Sequence, residues 1–252
     1  MITELIRRFY FNTPSVFPLN LAFAKFEGGR LRKKQRRIRT IDDLVNMTFS
    51  FNFIPLFPMW PELAPFSIRL EQVPKEISQL LRILVRHKPR IVLEIGTANG
   101  GTLFLLSKVA TPDAILMSID LREGSFGGGY PKWKIPFYTS FATNAQKVFL
   151  IEGNSHEYTT FLKMKRILGD KKLDFLFIDG DHTYEGVKRD FRMFYPLVRE
   201  EGIIAFHDIV EHSPESKCEV SKFWNEIKHN YKCNEIIKDR NQKWAGIGVL
   251  YV

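Results

Sequence analysis

The chain has 252 residues, 44% of them hydrophobic and 26% charged, enough to bury one sizeable α/β core with an appendage. Its 37 Lys/Arg against 28 Asp/Glu leave a net charge of +9; ten of those bases and five of the acids precede residue 67, so the excess is mostly N-terminal. Two cysteines, Cys218 and Cys233, exclude a disulfide framework or a paired-cysteine zinc site. No apolar run reaches the ~18 residues of a bilayer span.

The opening MITELIRRFYFN has neither the apolar centre nor the small-residue cleavage site of a signal peptide, so free thiols and a cytoplasmic location are expected. Residues 1–70 read as an extension apart from a main domain over 71–252. Phenylalanines come first, then seven Lys/Arg between Arg30 and Arg39. That run has three readings: a solvated face, a patch for an anionic surface such as lipid or a charged glycan carrier, or nucleic-acid contact. In MTFSFNFIPLFPMWPELAPF (47–66) the alternating Phe49, Phe51 and Phe53 predict a short strand, and the prolines after them predict an extended cover, acting as a lid or oligomer contact.

From Val73 the pattern changes. Pro74 opens a helix with Ile77, Leu80, Leu81 and Leu84 at helical spacing, and Pro89 ends it. Strands are predicted at 91–95, 115–119, 148–151, 173–178, 202–206, 232–238 and 245–251. The helices between them fall near 100–109, up to about 145, 156–168, 183–198 and 219–229. Such alternation implies a mainly parallel sheet covered on both faces. The Gly-rich loop 124–131 has the composition of a mobile flap, with Tyr130 and Trp133 as substrate contacts.

IVLEIGTANGG (91–101) is a buried strand that stops at glycines and restarts as a helix, the opening of a nucleotide-type unit. Its spacing is Gly96-x-x-x-Gly100-Gly101, with Thr97 in the turn, rather than the dinucleotide Gly-x-Gly-x-x-Gly. Glu94 at the strand end would repel a phosphate and suits a ligand with positive charge. S-adenosylmethionine, with an ammonium and a sulfonium and no phosphate, fits. Asp120 ends the next strand, where an acid can hold ribose hydroxyls.

The second informative stretch is FLFIDGDHTYEGVKRDF. Asp179 ends one buried strand and Asp208 follows the next, on the same edge of the sheet. Two such carboxylates repel each other unless a cation or proton lies between them, and oxygen ligands favour Mg²⁺. Asp181 reads as a turn cap before the following helix. His87, His156, His212 and His229 share no spacing and read as surface residues.

EIGTANGGT, SID, FGGGYP, IEGNS, FIDGDHTYEGVKRDF, GIIAFHDI and WAGIGVLYV together resemble a class I S-adenosylmethionine-dependent methyltransferase. The likeness is to the O-methyltransferase group that includes macrolide-sugar and cephalosporin-biosynthesis enzymes, and it covers about residues 71–252. It implies a Rossmann-like, doubly wound seven-stranded α/β sheet whose last strand is antiparallel. Carried over residue by residue, it makes Asp179 a metal ligand and His182 the general base. Tyr184, two residues on, is a further candidate substrate contact beside Tyr130 and Trp133. Asp179 also stands at the cofactor. Asn154 and Ser155 take the place of an acid that contacts adenine. The metal-binding pair is His207–Asp208 where the family has two acids, so weak Mg²⁺ binding, a transition metal or no metal all stay open. The implied acceptor is a hydroxylated small molecule or glycan. Nucleic acid is not expected as a partner, because no Asn/Asp-Pro-Pro-aromatic motif follows the fourth strand; a nucleic-acid methyltransferase acting on ribose stays open as an alternative, and a non-catalytic binding protein on the same fold is the other.

Overall fold

A computed structural model of the chain describes residues 17–51, 68, 70–121, 130, 134–143 and 145–252. Seven strands form one sheet: β1 (Ile91–Ile95), β2 (Ile115–Asp120), β3 (Lys147–Glu152), β4 (Leu173–Ile178), β5 (Val198–His207), β6 (Lys232–Ile236) and β7 (Ile247–Tyr251). Their order is β3-β2-β1-β4-β5-β7-β6. The first five run parallel, and β7 lies antiparallel between β5 and β6. The order reverses between β1 and β4, and at such a switch the carboxyl ends of the strands open a crevice for ligands.

Helices cover both faces. α3 (Pro74–His87) and α4 (Gly101–Val109) lie on one, while α6 (Tyr158–Leu168), α7 (Tyr184–Phe194) and α8 (Val220–Ile227) lie on the other. The period-two alternation of the strands sorts their residues accordingly. Val92, Phe175, Phe177, Ile203 and Ala205 join the first core, whereas Leu93, Leu176, Ile178, Ile204 and Phe206 join the second. Continuing the first series brings Glu94, Asp179 and His207 to one face of the sheet at one end.

The predicted strands all occur. β5 begins at Val198, earlier than expected: Val198 pairs with Leu173 and Ile203 with Phe175, so the polar stretch 199–202 between them bulges from the β4 ladder. Arg199 Nε fixes that segment by donating to Asp174 Oδ1 at 2.6 Å. The helix expected up to residue 145 shrinks to α5 (Ile135–Thr139). Gln146 takes over from there: its Oε1 accepts from Thr143 N, and its Nε2 donates to the carbonyls of Ser107 and Thr111.

The N-terminal part is less separate than its composition suggests. α1 (Phe17–Gln35) and α2 (Ile41–Ser50) contribute Phe23, Leu31, Leu44, Val45 and Met47 to the same core as α3 and α4. The strand expected at Phe49–Phe53 is not formed at its described positions: Phe49 lies in α2 and Phe51 is its buried C-cap. Thr40 caps α2 by accepting from Asp43 N, and two acids stand in its first turn, so local helix signals outweigh the alternation. Residue 53 and the proline-rich cover lie outside the described residues. Gly28 has a tertiary reason, since a Cβ there would stand 2.6 Å from Ser140 Oγ just beyond α5.

One buried carboxylate ties α3 to the segment before β7. Glu76 is fully buried; its Oε1 accepts from Lys238 N at 2.9 Å and Gln242 Nε2 at 2.8 Å, and its Oε2 from Gly246 N at 2.9 Å. Glu76→Ala leaves two backbone donors without this partner and should cost about 3 kcal/mol of stability, read as a lower urea midpoint with an unchanged slope. A midpoint shift of less than about 0.5 kcal/mol would show the carboxylate to be dispensable.

Candidate active site

β1 is buried throughout and ends at Gly96, where φ is 87°. A Cβ on Gly96 would lie 1.9 Å from the Asp179 carbonyl oxygen, and Asp179 N donates to Ile95 O at 2.9 Å. The glycine turn and the Asp179 turn therefore touch backbone to backbone, which only glycine permits. Gly100, at φ 83°, stands directly before α4, and a Cβ there would meet Tyr138 at 2.4 Å. Asp120 Oδ2 accepts from Thr97 N at 3.2 Å and Ala98 N at 2.9 Å, while its Oδ1 accepts from Leu121 N at 2.8 Å. The acid expected to meet a ribose thus also holds the turn.

Glu94 is fully buried. Ser118 Oγ donates to its Oε2 at 3.1 Å, and the Tyr130 hydroxyl joins Ser118 Oγ at 2.8 Å and Thr97 Oγ1 at 2.9 Å. Burial pushes the Glu94 carboxyl up to about 8, against the hydrogen bonds from Thr97 and Ser118. At neutral pH it is therefore protonated, not the standing negative charge expected from the sequence. Its Oε1 is buried with no hydrogen-bond partner among the described residues, an acceptor that a donor on a bound ligand would satisfy. Beyond β3, Asn154 Oδ1 accepts from His156 N at 2.9 Å, which shapes the turn carrying the buried Ser155.

The second cluster lies at the ends of β4 and β5. His207 Nδ1 stands 3.1 Å from Asp179 Oδ1 and 3.4 Å from Asp208 Oδ2. His182 Nδ1 lies 2.8 Å from Asp208 Oδ2, with its Nε2 3.8 Å from Asp179 Oδ1. Gln72, just before α3, donates from Nε2 to Asp179 Oδ2 at 2.6 Å and accepts from Thr102 Oγ1 at 3.0 Å. Asp208 adopts φ 61°, the left-handed region, and its Oδ1 accepts from Ala245 N and pairs with His212 Nε2, each at 3.1 Å. Strain of this kind at a strand end is often found at functional sites.

Charge is balanced inside the cluster. Burial would lower the His182 pKa, but hydrogen bonds to Asp208 and Cys218 and the facing Asp179 raise it to about 10. Burial likewise disfavours a charged His207, and the carboxylates of Asp179 and Asp208 outweigh it, holding its pKa well above the usual range. Burial opposes ionisation of Asp208 too, yet His207 and His182 keep its pKa well below normal. The two imidazolium groups occupy the electrostatic place of a divalent cation. Asp179, His207 and Asp208 offer donor atoms within 4.8 Å of one another. With an imidazole between the carboxylates, that set fits all-oxygen Mg²⁺ chemistry poorly and suits a transition ion better.

Tyr130 is buried against Glu94 rather than presented in an open cleft, and Trp133 lies outside the described residues. Tyr184 points to α8, where its hydroxyl meets Glu226 and its ring packs edge-on against Phe223. Asp181 Oδ1 accepts from Thr183 N and Oγ1, while Thr183 itself caps α7. Gln72, His212 and Cys218 are additions that the sequence reading missed. His212, expected at the surface, is half-buried on Asp208, and its separation of four residues from that acid is the only local hint of the contact. Two clefts border the cluster. One, of about 370 Å³, is lined by Gln72, Pro74, Lys238, Asp239, Gln242 and Trp244 among others. The other, of about 730 Å³, includes Thr183, His212, Cys218 and Glu219.

The family model described as "Methyltransferase domain" matches residues 93–209, the span from β1 through Asp208. Over that span, just under half of its length, the chain is similar to a methyltransferase domain. Its sheet and helices superpose on the O-methyltransferase TomG of Streptomyces achromogenes, solved with S-adenosylmethionine, at a TM-score of 0.51 and 15% identity, covering 86% of this chain and 91% of that one. An O-methyltransferase from Bacillus cereus, solved with S-adenosylhomocysteine, gives 0.51 at 14% identity, covering 84% and 90%. Among curated proteins, y4gI of Sinorhizobium fredii is 28% identical over 48% of this chain, which spans 13% of that protein's length.

The neutral Glu94 gives the fold a pH signature. The unfolded chain ionises Glu94 near 4.5 and the folded chain near 8, so the folded state binds the extra proton between them. This group's contribution to stability is therefore fullest below about 4.5 and falls as pH rises towards 8. Glu94→Gln should flatten that fall in thermal melts at pH 5 to 9. Parallel curves for the two proteins would show that Glu94 is ionised in the fold.

Proposed function

We propose that the chain transfers the methyl group of S-adenosylmethionine to a hydroxyl oxygen of a small molecule or glycan. The observation that carries this reading is the contact between the Gly96 turn and the Asp179 turn, which sets a cofactor-type turn against a cluster able to hold and move protons. Gly96, Thr97 and Gly100 would receive the cofactor, Asp120 its ribose, Asn154 and Ser155 its base, and Glu94 Oε1 a donor group. Bound S-adenosylmethionine supplies an electrophilic methyl whose carbon–sulfur bond breaks as the oxygen–carbon bond forms.

The chain's own residues orient the acceptor and manage its proton. The cleft bounded by Gln72 and Trp244 mixes polar side chains with an indole that is 50% exposed, a surface suited to a hydroxylated ring. Gln72 fixes one oxygen of Asp179, whose other oxygen faces His207 and, at longer range, His182. His182 holds a proton because Asp208 and Asp179 face it. Positive charge brought against those carboxylates lowers the His182 pKa and frees Nε2 to take the acceptor's proton. Alignment of the two substrates supplies much of the acceleration. No step above depends on Mg²⁺.

Calorimetry should show S-adenosylmethionine binding, and no heat at millimolar cofactor would overturn the reading. With an acceptor found by screening for S-adenosylhomocysteine release, His182→Ala should lower turnover at least about 100-fold while leaving cofactor affinity within about twofold. Turnover that survives would remove His182 as the base.

We further propose that the end of α1 and its following loop make peripheral contact with an anionic lipid surface. Arg32, Lys33, Lys34, Arg36, Arg37 and Arg39 are exposed there, and Phe26 on the same helix is 56% exposed. Vesicles containing anionic lipid should sediment the protein at low salt, and neutral vesicles should not. Reversing Lys33, Arg36 and Arg37 to Glu should weaken that binding more than tenfold, at about 1 kcal/mol per charge. Equal binding to both vesicle types would contradict it.

A further inference from the structure

Asp208 Oδ2 is shared by two sets of donors. His207 Nδ1 lies 3.4 Å from it and His182 Nδ1 2.8 Å, and Cys218 Sγ lies 4.0 Å from the His182 nitrogen. Donor atoms of His182, Asp208 and Cys218 all fall within 4.8 Å of one another. Tetrahedral zinc, with bonds of about 2.0–2.3 Å, spaces its donors about 3.3–3.8 Å apart, so small side-chain adjustments would bring these three onto one ion.

The chemistry of the set is selective. An imidazole, a carboxylate and a thiol are not ligands that Mg²⁺ gathers, whereas a zinc-class ion takes all three. Asp208 is held in position for such a role: Ala245 N and His212 Nε2 engage its Oδ1 and leave Oδ2 turned towards His182. The cleft of about 730 Å³ that includes Cys218 and His212 gives an ion and a water ligand a route from solvent.

We propose that His182, Asp208 and Cys218 bind a zinc-class transition-metal ion, on a donor set that differs from Asp179, His207 and Asp208 by its thiol. Binding releases two protons, one from His182 Nδ1 and one from the Cys218 thiol, so that both atoms offer lone pairs. The consequence for catalysis rests on the reading of His182 given above. With Nδ1 on the ion and Nε2 still protonated, the ring has no lone pair for an acceptor's proton, and the ion inhibits methyl transfer.

Thiol alkylation of the full chain tests the site without any turnover. Iodoacetamide labelling mapped by mass spectrometry compares Cys218 with the exposed Cys233, the chain's other cysteine and an internal control. Zn²⁺ should slow labelling of Cys218 at least tenfold and leave Cys233 unchanged; Mg²⁺ should slow neither. His182→Asn should abolish the protection. As a second measurement, Co²⁺ should give a thiolate charge-transfer absorption in the unaltered protein that Cys218→Ser removes. The proposal is overturned if Zn²⁺ leaves Cys218 labelling unchanged, if Mg²⁺ protects equally, if protection persists in H182N, or if bound Co²⁺ shows no thiolate band. None of these readouts needs S-adenosylmethionine, so failure of the methyl-transfer reading leaves this test intact.

Discussion

The constraint on which the site depends is the close approach of two backbones at the switch point of the sheet. β1 and β4 are neighbours in parallel register, and the chain leaves both at the same edge. Gly96 then packs on the Asp179 carbonyl with no room for a side chain, and Asp179 N closes the junction on Ile95 O. A ligand held by the glycine turn is therefore adjacent to Asp179 by construction. The separation is fixed by main chain, which yields far less than a flexible side chain does.

Around that junction, polar groups are buried in two different ways. Glu94 sits in a neutral nest of hydroxyls, where burial favours the protonated acid. The cluster at Asp208 instead keeps its charges and pairs them, carboxylate against imidazolium, as buried ions must. The first environment accepts a hydrogen-bond donor, whereas the second stores protons that a change of local charge can release.

The N-terminal segment shows where composition misleads. Its charge and phenylalanine content set it apart from the domain, yet α1 and α2 share the core of α3 and α4. Arg30 and Lys34 lie over the ring of Phe51, so part of the basic run is anchored on an aromatic surface while the rest meets solvent. Neither contact has a local signature, because helices separated by tens of residues make them.

The sequence by itself determined the alternation of strands and helices, the glycine turn after β1, and the acids at the strand ends. Hydrophobic period and glycine placement are local properties, so they are written directly in the order of residues. It determined Asp179 and Asp208 as neighbours too, because parallel strands deliver their ends to one edge. The protonation of Glu94, the recruitment of Gln72 to Asp179, and the gathering of His182, His212 and Cys218 about Asp208 were decided only by tertiary structure. Burial and distance between remote residues set those features, and no spacing along the chain encodes either. The opening stretch thus writes the glycine turn into the chain, while the packing around Asp208 decides which groups stand beside it.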